Sequence, residues 1–272
     1  MRPLREKGVL ITGAGRGIGK RLAIGFATAG ARVGLLARSP AELDLAKLEI
    51  EHAGGVALRI RADVRDLEQM SAAVDRMQVV FGGTHILVAA AAIQGPIGPF
   101  HDCKMKAWME TIETNLFGVM NSIRVVLPRM IDRRSGKIIV LGGGGASYGR
   151  PNFSAYAASK TALARVVESI AEEVRDHNVQ INCLLPGGAN TSMTDEILHA
   201  GDRAGAKELE EAQKIRITGG VPAEKQIQLA LFLASEASNH ITGKMIHVTD
   251  DWKKLEHENM RHEAYTLRRM KK

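Results

Sequence analysis

The sequence predicts an α/β protein in which helices cover both faces of a parallel sheet. Short, nearly continuous apolar runs alternate with helix-length amphipathic segments along the chain. Such runs suit strands buried on both faces, as crossover helices require. At 272 residues, with 45% hydrophobic and 25% charged residues, the chain has material for one large core. Strands are expected over 9–12, 32–36, 56–61, 85–89, 137–141, 179–184 and 245–248. Helices are expected over 17–29, 40–53, 67–81, 104–134, 154–177 and 222–235. Residues 187–221 break the alternation with a polar, Gly-punctuated stretch, read as a substrate loop or lid with helices near 193–200 and 205–215.

The first strand runs into Thr12-Gly13-Ala14-Gly15-Arg16-Gly17-Ile18-Gly19, where a helix opens. Glycine permits the tight turn and lets backbone approach a pyrophosphate resting on the helix N-terminus. Gly13, Gly15, Arg16, Gly17, Ile18 and Gly19 are therefore the expected dinucleotide-binding turn. The end of the second strand selects the dinucleotide. A carboxylate there would accept the ribose 2′-hydroxyl of NAD, but Leu36-Ala37-Arg38-Ser39 has none. Arg38 can fork onto a 2′-phosphate, Ser39 adds a donor and Arg16 is close by, so NADP(H) is expected over NAD(H). The alternative is an Arg38 that only covers the adenine. Further along, Tyr156 and Lys160 are four apart on one helix face. A free phenol, with a pKa of about 10, is a poor base near neutrality. A neighbouring ammonium favours phenolate, which makes Tyr156 a workable general acid and base.

Other segments complete an ordered set: Asp63-Val64 after the third strand, Thr114-Asn115-Leu116-Phe117-Gly118, Tyr156-Ala157-Ala158-Ser159-Lys160, and Asn182-Cys183-Leu184-Leu185-Pro186-Gly187 followed by Thr191. With the glycine turn, these make residues 7–248 resemble the short-chain dehydrogenase/reductase family in its single-domain branch, 3-oxoacyl-carrier-protein reductases included. The resemblance implies a doubly wound Rossmann fold, a seven-stranded parallel sheet of order 3-2-1-4-5-6-7. It also implies reversible hydride transfer between NADP(H) and a small-molecule carbonyl/alcohol pair. By the same resemblance Asp63 and Val64 meet the adenine, Ala90 and Ala91 line the cofactor cleft, and Pro186, Gly187, Ala189 and Thr191 hold the nicotinamide. Tyr156 and Lys160 would be catalytic and touch cofactor, Lys160 bonding the ribose, while Asn115 would hold a water in a proton relay. Relatives commonly form homo-tetramers or homo-dimers through the helices here placed at 104–134 and 154–177.

Three departures stand against the family pattern. The catalytic serine belongs thirteen residues before the tyrosine, and that position is Gly143 within Gly142-Gly143-Gly144-Gly145. One lost donor of this kind costs roughly 10²–10³ in rate. Ser147, Ser154 or Tyr148 could substitute, as could a substrate hydroxyl or a water. The glycines could instead present backbone N–H groups as a nest or leave room for a bulky substrate. A cofactor-binding sensor or assembly protein without turnover is the rival reading. Second, Ala89-Ala90-Ala91-Ala92 replaces the usual NNAG, which touches strand bracing more than chemistry. Third, a basic extension, 253–272, follows the domain at 1–252; a partly helical course, packing on a neighbouring subunit and closure of the substrate pocket are its candidate roles.

The remaining composition excludes other classes. Cys103 and Cys183 lack metal-like spacing, and Cys183 in its apolar run reads as a buried free thiol, so no metal and a reducing, cytoplasmic setting are expected. No apolar run is long enough for a membrane span, and Gly13, Gly15 and Arg16 interrupt the only stretch resembling a leader. The net charge of +7 is concentrated in the C-terminal extension, read as a solvated tail and not as a nucleic-acid surface.

Overall fold

The computed structural model describes residues 4–257 and 260–269. Seven parallel strands form one sheet: β1 (Gly8–Thr12), β2 (Arg32–Ala37), β3 (Val56–Arg61), β4 (Ile86–Ala89), β5 (Gly136–Leu141), β6 (Val179–Leu185) and β7 (Met245–His247). Their order is β3-β2-β1-β4-β5-β6-β7, the expected doubly wound Rossmann arrangement. The period-two alternation of strand side chains divides the core into two layers. Val9, Ile11, Val33, Leu35, Ile139 and Leu184 point to one face. There they meet α1 (Gly17–Thr28), α2 (Pro40–His52) and α9 (Ala223–Ala234). Leu10, Leu36, Leu87, Ile138, Val140 and Ile181 point to the other. That face is covered by α3 (Leu67–Phe81), α5 (Gly118–Asp132) and α6 (Ser154–Glu173).

The helix expected over 104–134 is not continuous. It divides into α4 (Met105–Ile112) and α5, joined by a π-helical turn over Glu113–Phe117. The extra residue of a π-turn re-aims one side chain, here Asn115. Its amide donates to Ile93 O and Ser159 Oγ, while its Oδ1 accepts from Ile93 N. The helix expected over 154–177 ends at Glu173, followed by a 3₁₀ turn and by Asn178 in the left-handed region. Both helices expected within residues 187–221 form, as α7 (Ser192–Ala200) and α8 (Ala206–Thr218).

The C-terminal extension is packed on the domain where a solvated tail was expected. A 3₁₀ turn over Trp252–Glu256 is its only helical part among the described residues; 258–259 and 270–272 lie outside them. It folds onto its own chain along the outer edge of β7. Met245 N donates to Tyr265 O, and Lys244 Nζ donates to the carbonyls of Arg261 and His262. Leu255 is buried in the core, and Arg268 pairs with Glu168. An edge strand's outward N–H groups need a partner, and the extension supplies one.

Candidate active site

The cleft opens at the C-terminal ends of the strands, with a volume of about 1250 Å³. The glycine turn lines one end. Gly13 has φ +67, and a Cβ there would stand 2.8 Å from Ala91 Cα, so the turn packs directly on the end of β4. Thr12 ties the same junction, its hydroxyl accepting from Ala90 N at 3.1 Å and Ala91 N at 3.2 Å. The first turn of α1 has no side-chain cap and no acidic residue, whereas α2 is capped by Ser39 and α3 by Asp66, each with an acid in its first turn. The uncapped N–H groups of α1 face the cleft and suit a pyrophosphate.

Gly13, Gly15, Arg16, Gly17, Ile18 and Gly19 all line this cleft, with Arg38, Ser39, Asp63, Val64, Ala90 and Ala91 beyond them. Arg38 is exposed. Arg16 faces Glu42 at 3.8 Å across solvent, a weak pair. Asp63 is engaged by Arg65, whose guanidinium holds its carboxyl below the usual range with a smaller contribution from Arg38. Pro186, Gly187, Ala189 and Thr191 close the far wall, just before α7. Gln226 fixes Pro186 O at 3.0 Å, and Ala189 bridges Gly220.

Tyr156 and Lys160 also line the cleft, side by side on α6. Lys160 Nζ donates to Leu141 O at 2.8 Å and lies 5.5 Å from the Tyr156 ring centroid. Burial lowers its pKa to about 8, with some opposing effect from Cys183. Cys183 is buried, as expected, and its thiol is pushed up to about 12. Burial also raises the Tyr156 phenol, and Arg150 opposes this. Asn115 is fully buried behind the wall and does not line the cleft. Both its amide protons are engaged, so its observed work is to brace the Ile93 segment against α6.

At Gly143 the Tyr156 phenol packs close to the backbone. A Cβ there would stand 2.6 Å from Tyr156 Oη and 3.1 Å from its Cε1. Among the substitutes, Ser154 Oγ accepts from Trp108 Nε1 at 3.0 Å and is committed elsewhere. Ser147 and Tyr148 line the cleft.

Residues 7–201 match the family model described as short chain dehydrogenase. The chain belongs to that family. It is 31% identical to a 2,3-dihydro-2,3-dihydroxybenzoate dehydrogenase of Bacillus subtilis, over 88% of this chain and 93% of the relative. It is likewise 31% identical to a 3-oxoacyl-[acyl-carrier-protein] reductase of Staphylococcus aureus, over 89% and 96%. Among solved structures, a Brucella melitensis 3-oxoacyl-[acyl-carrier protein] reductase with bound NAD superposes with a TM-score of 0.77 at 26% identity, covering 91% of each chain. In this short-chain dehydrogenase, sequence motifs missed Arg150 and Glu208. Arg150 forms a bidentate pair with Glu208 of α8, at 3.0 and 2.7 Å. No local pattern marks a pair 58 positions apart.

Proposed function

We propose that the protein is an NADP(H)-dependent oxidoreductase that interconverts a carbonyl and an alcohol on a small molecule. The observation that carries the reading is that one cleft gathers the uncapped glycine turn, Arg38 and the Tyr156–Lys160 face. The nicotinamide, when bound, supplies or accepts the hydride. Tyr156 gives a proton to the nascent alkoxide in reduction and takes it back in oxidation. Lys160 holds the ribose side of the cleft through its ammonium and keeps its anchor on Leu141 O. Arg38 and Ser39 address the 2′-phosphate; Ser39 Oγ accepts from Glu42 N and keeps its own proton for donation. Asp63, Val64, Ala90 and Ala91 bind the adenosine half, and Pro186, Gly187, Ala189 and Thr191 the nicotinamide half. Free Cys103 and Cys183 fit a cytoplasmic enzyme. Exposed Phe100, Met105, Met109 and Phe117 around α4 fit a homo-dimer or homo-tetramer built on that face.

The test is binding followed by turnover. Isothermal titration should give tighter binding of NADPH than NADH, and Arg38→Asp should invert the order. Tyr156→Phe should lower kcat by about 10²–10⁴ on any accepted ketone. NADH preference in the unaltered protein would overturn the cofactor assignment. A second reading, a cofactor-binding protein without turnover, is favoured by Gly143, which offers no hydroxyl beside the phenol. NADPH binding with no oxidation across aliphatic, aromatic and β-keto carbonyls would support it.

A further inference from the structure

The β5–α6 loop carries a cation that neither the family motifs nor the reaction outlined above employs. The Arg150 guanidinium carbon lies 4.0 Å from the Phe153 ring centroid and 5.5 Å from that of Tyr156. Its outer edge is gripped by the Glu208 carboxylate, and both side chains are largely buried, at 10% and 20% exposure. Phe153 and Tyr156 share a small apolar cluster with Ile197 of α7 and Ala212 of α8. The guanidinium therefore lies where the lid, the loop and the phenol meet.

We propose that Arg150 is a positioning residue that sets the acidity of Tyr156, and that Glu208 anchors it there when α8 is docked. The proposal rests on the assignment of Tyr156 as proton donor and acceptor. The groups facing the phenol are Arg150 and Tyr148 from the loop and Lys160 from its own helix. Cys183 stands behind Lys160 on β6, and Glu208, Glu196, Glu210 and Glu211 line the cleft from the lid. Burial raises the phenol above its ordinary value, and the charge of Arg150 opposes that rise. A guanidinium is not deprotonated in proteins. Arg150 thus keeps its positive charge while the phenol ionises. A charge at this range shifts a neighbour by about one pH unit or more. Undocking α8 would release the guanidinium from its anchor and return the phenol toward the value set by burial alone.

The chain has three tyrosines, so its fluorotyrosine form gives three fluorine NMR resonances, and Tyr156→Phe assigns the relevant one. The Tyr156 resonance should titrate about one pH unit higher in Arg150→Met and close to the unaltered position in Arg150→Lys. Glu208→Gln separates anchoring from simple charge removal. Release of the anchor moves the titration upward, toward Arg150→Met; mere loss of a nearby anion moves it downward. The alkaline limb of the kcat/KM profile for carbonyl reduction should follow the same order. An unmoved Tyr156 titration in Arg150→Met overturns the proposal, and a downward shift in Glu208→Gln overturns the anchoring role. Because the titration needs no turnover, a chain that fails to oxidise NADPH but shows these shifts would refute the proposed function alone.

Discussion

Replacing Gly143 by serine would place there the hydroxyl that the family resemblance leads one to expect, but packing decides whether it can be used. A Cβ at 143 would come within 2.6 Å of Tyr156 Oη, whereas ordinary contact begins at 3.4 Å. The phenol oxygen would have to withdraw by about 0.8 Å, a displacement large against native packing tolerances. The ring is buried in a cluster with Phe153, Ile197, Ala204 and Ala212, and the Arg150 guanidinium lies 5.5 Å from its centroid, so room to retreat is limited. Overpacking of this kind costs about 1–3 kcal/mol, or roughly 2–10 °C in Tm for a chain of this size. Gly143→Ser is therefore expected to melt earlier and to gain none of the 10²–10³ that a restored donor would supply, since the phenol is pushed from its place. Gly143→Ala brings the same Cβ without the hydroxyl and should melt with it. Thermal denaturation of the three proteins, alongside kcat/KM on a common ketone, makes the comparison. An unchanged Tm with a tenfold or greater rise in kcat/KM in Gly143→Ser would refute the packing argument.

Other expectations concern stability more than chemistry. Lys137 is buried in β5 with Nζ on Ser238 Oγ at 3.1 Å, and desolvation, partly offset by Glu236, lowers its pKa to about 7. The unfolded lysine titrates near 10.4, so unfolding takes up a proton between those values and the wild type gains stability as pH rises through that window. Urea denaturation should show wild type gaining on Lys137→Met by about 1.4 kcal/mol per pH unit between pH 7 and 10; a pH-independent gap would rule this out. Leu255→Ala should cost about 2–4 kcal/mol, read by urea denaturation, and leave KM unaltered, because no described residue of the extension lines the cleft. Truncation after Asp251 should bare the β7 edge and produce concentration-dependent association in sedimentation experiments.

The sheet was legible because each buried strand is a continuous apolar run. Val9–Ile11 or Ile138–Val140 can satisfy two core layers only in a parallel sheet covered on both sides. Most of the cleft was legible for a related reason: the glycine turn, Arg38, Asp63 and the Tyr156–Lys160 face are local patterns that the strand ends carry to one rim. The features that escaped depend on contacts between distant positions. The π-turn at Glu113–Phe117 answers to Ile93 and Ser159, which no periodicity within 104–134 encodes. The charged extension looked solvated because its anchors, Met245 N and Glu168, lie in other elements. Proximity on a helix picked out the Tyr156–Lys160 pair, but full burial, which raises the phenol and lowers the lysine, is something no spacing reveals.

Burial of the phenol also bears on the direction of the proposed reaction. A phenol raised above its ordinary value is protonated throughout the neutral range and ready to donate, whereas acting as a base requires it first to lose that proton. Carbonyl reduction draws on the form already present, and alcohol oxidation on the form that burial disfavours. Arg150 narrows the gap without closing it, since the net shift remains upward. The alcohol-oxidising activity should therefore climb with pH across the alkaline range, while ketone reduction stays level until the phenol begins to ionise. Rates measured in both directions from pH 6 to 10 distinguish this from a lysine-lowered phenol, for which oxidation would plateau near neutrality.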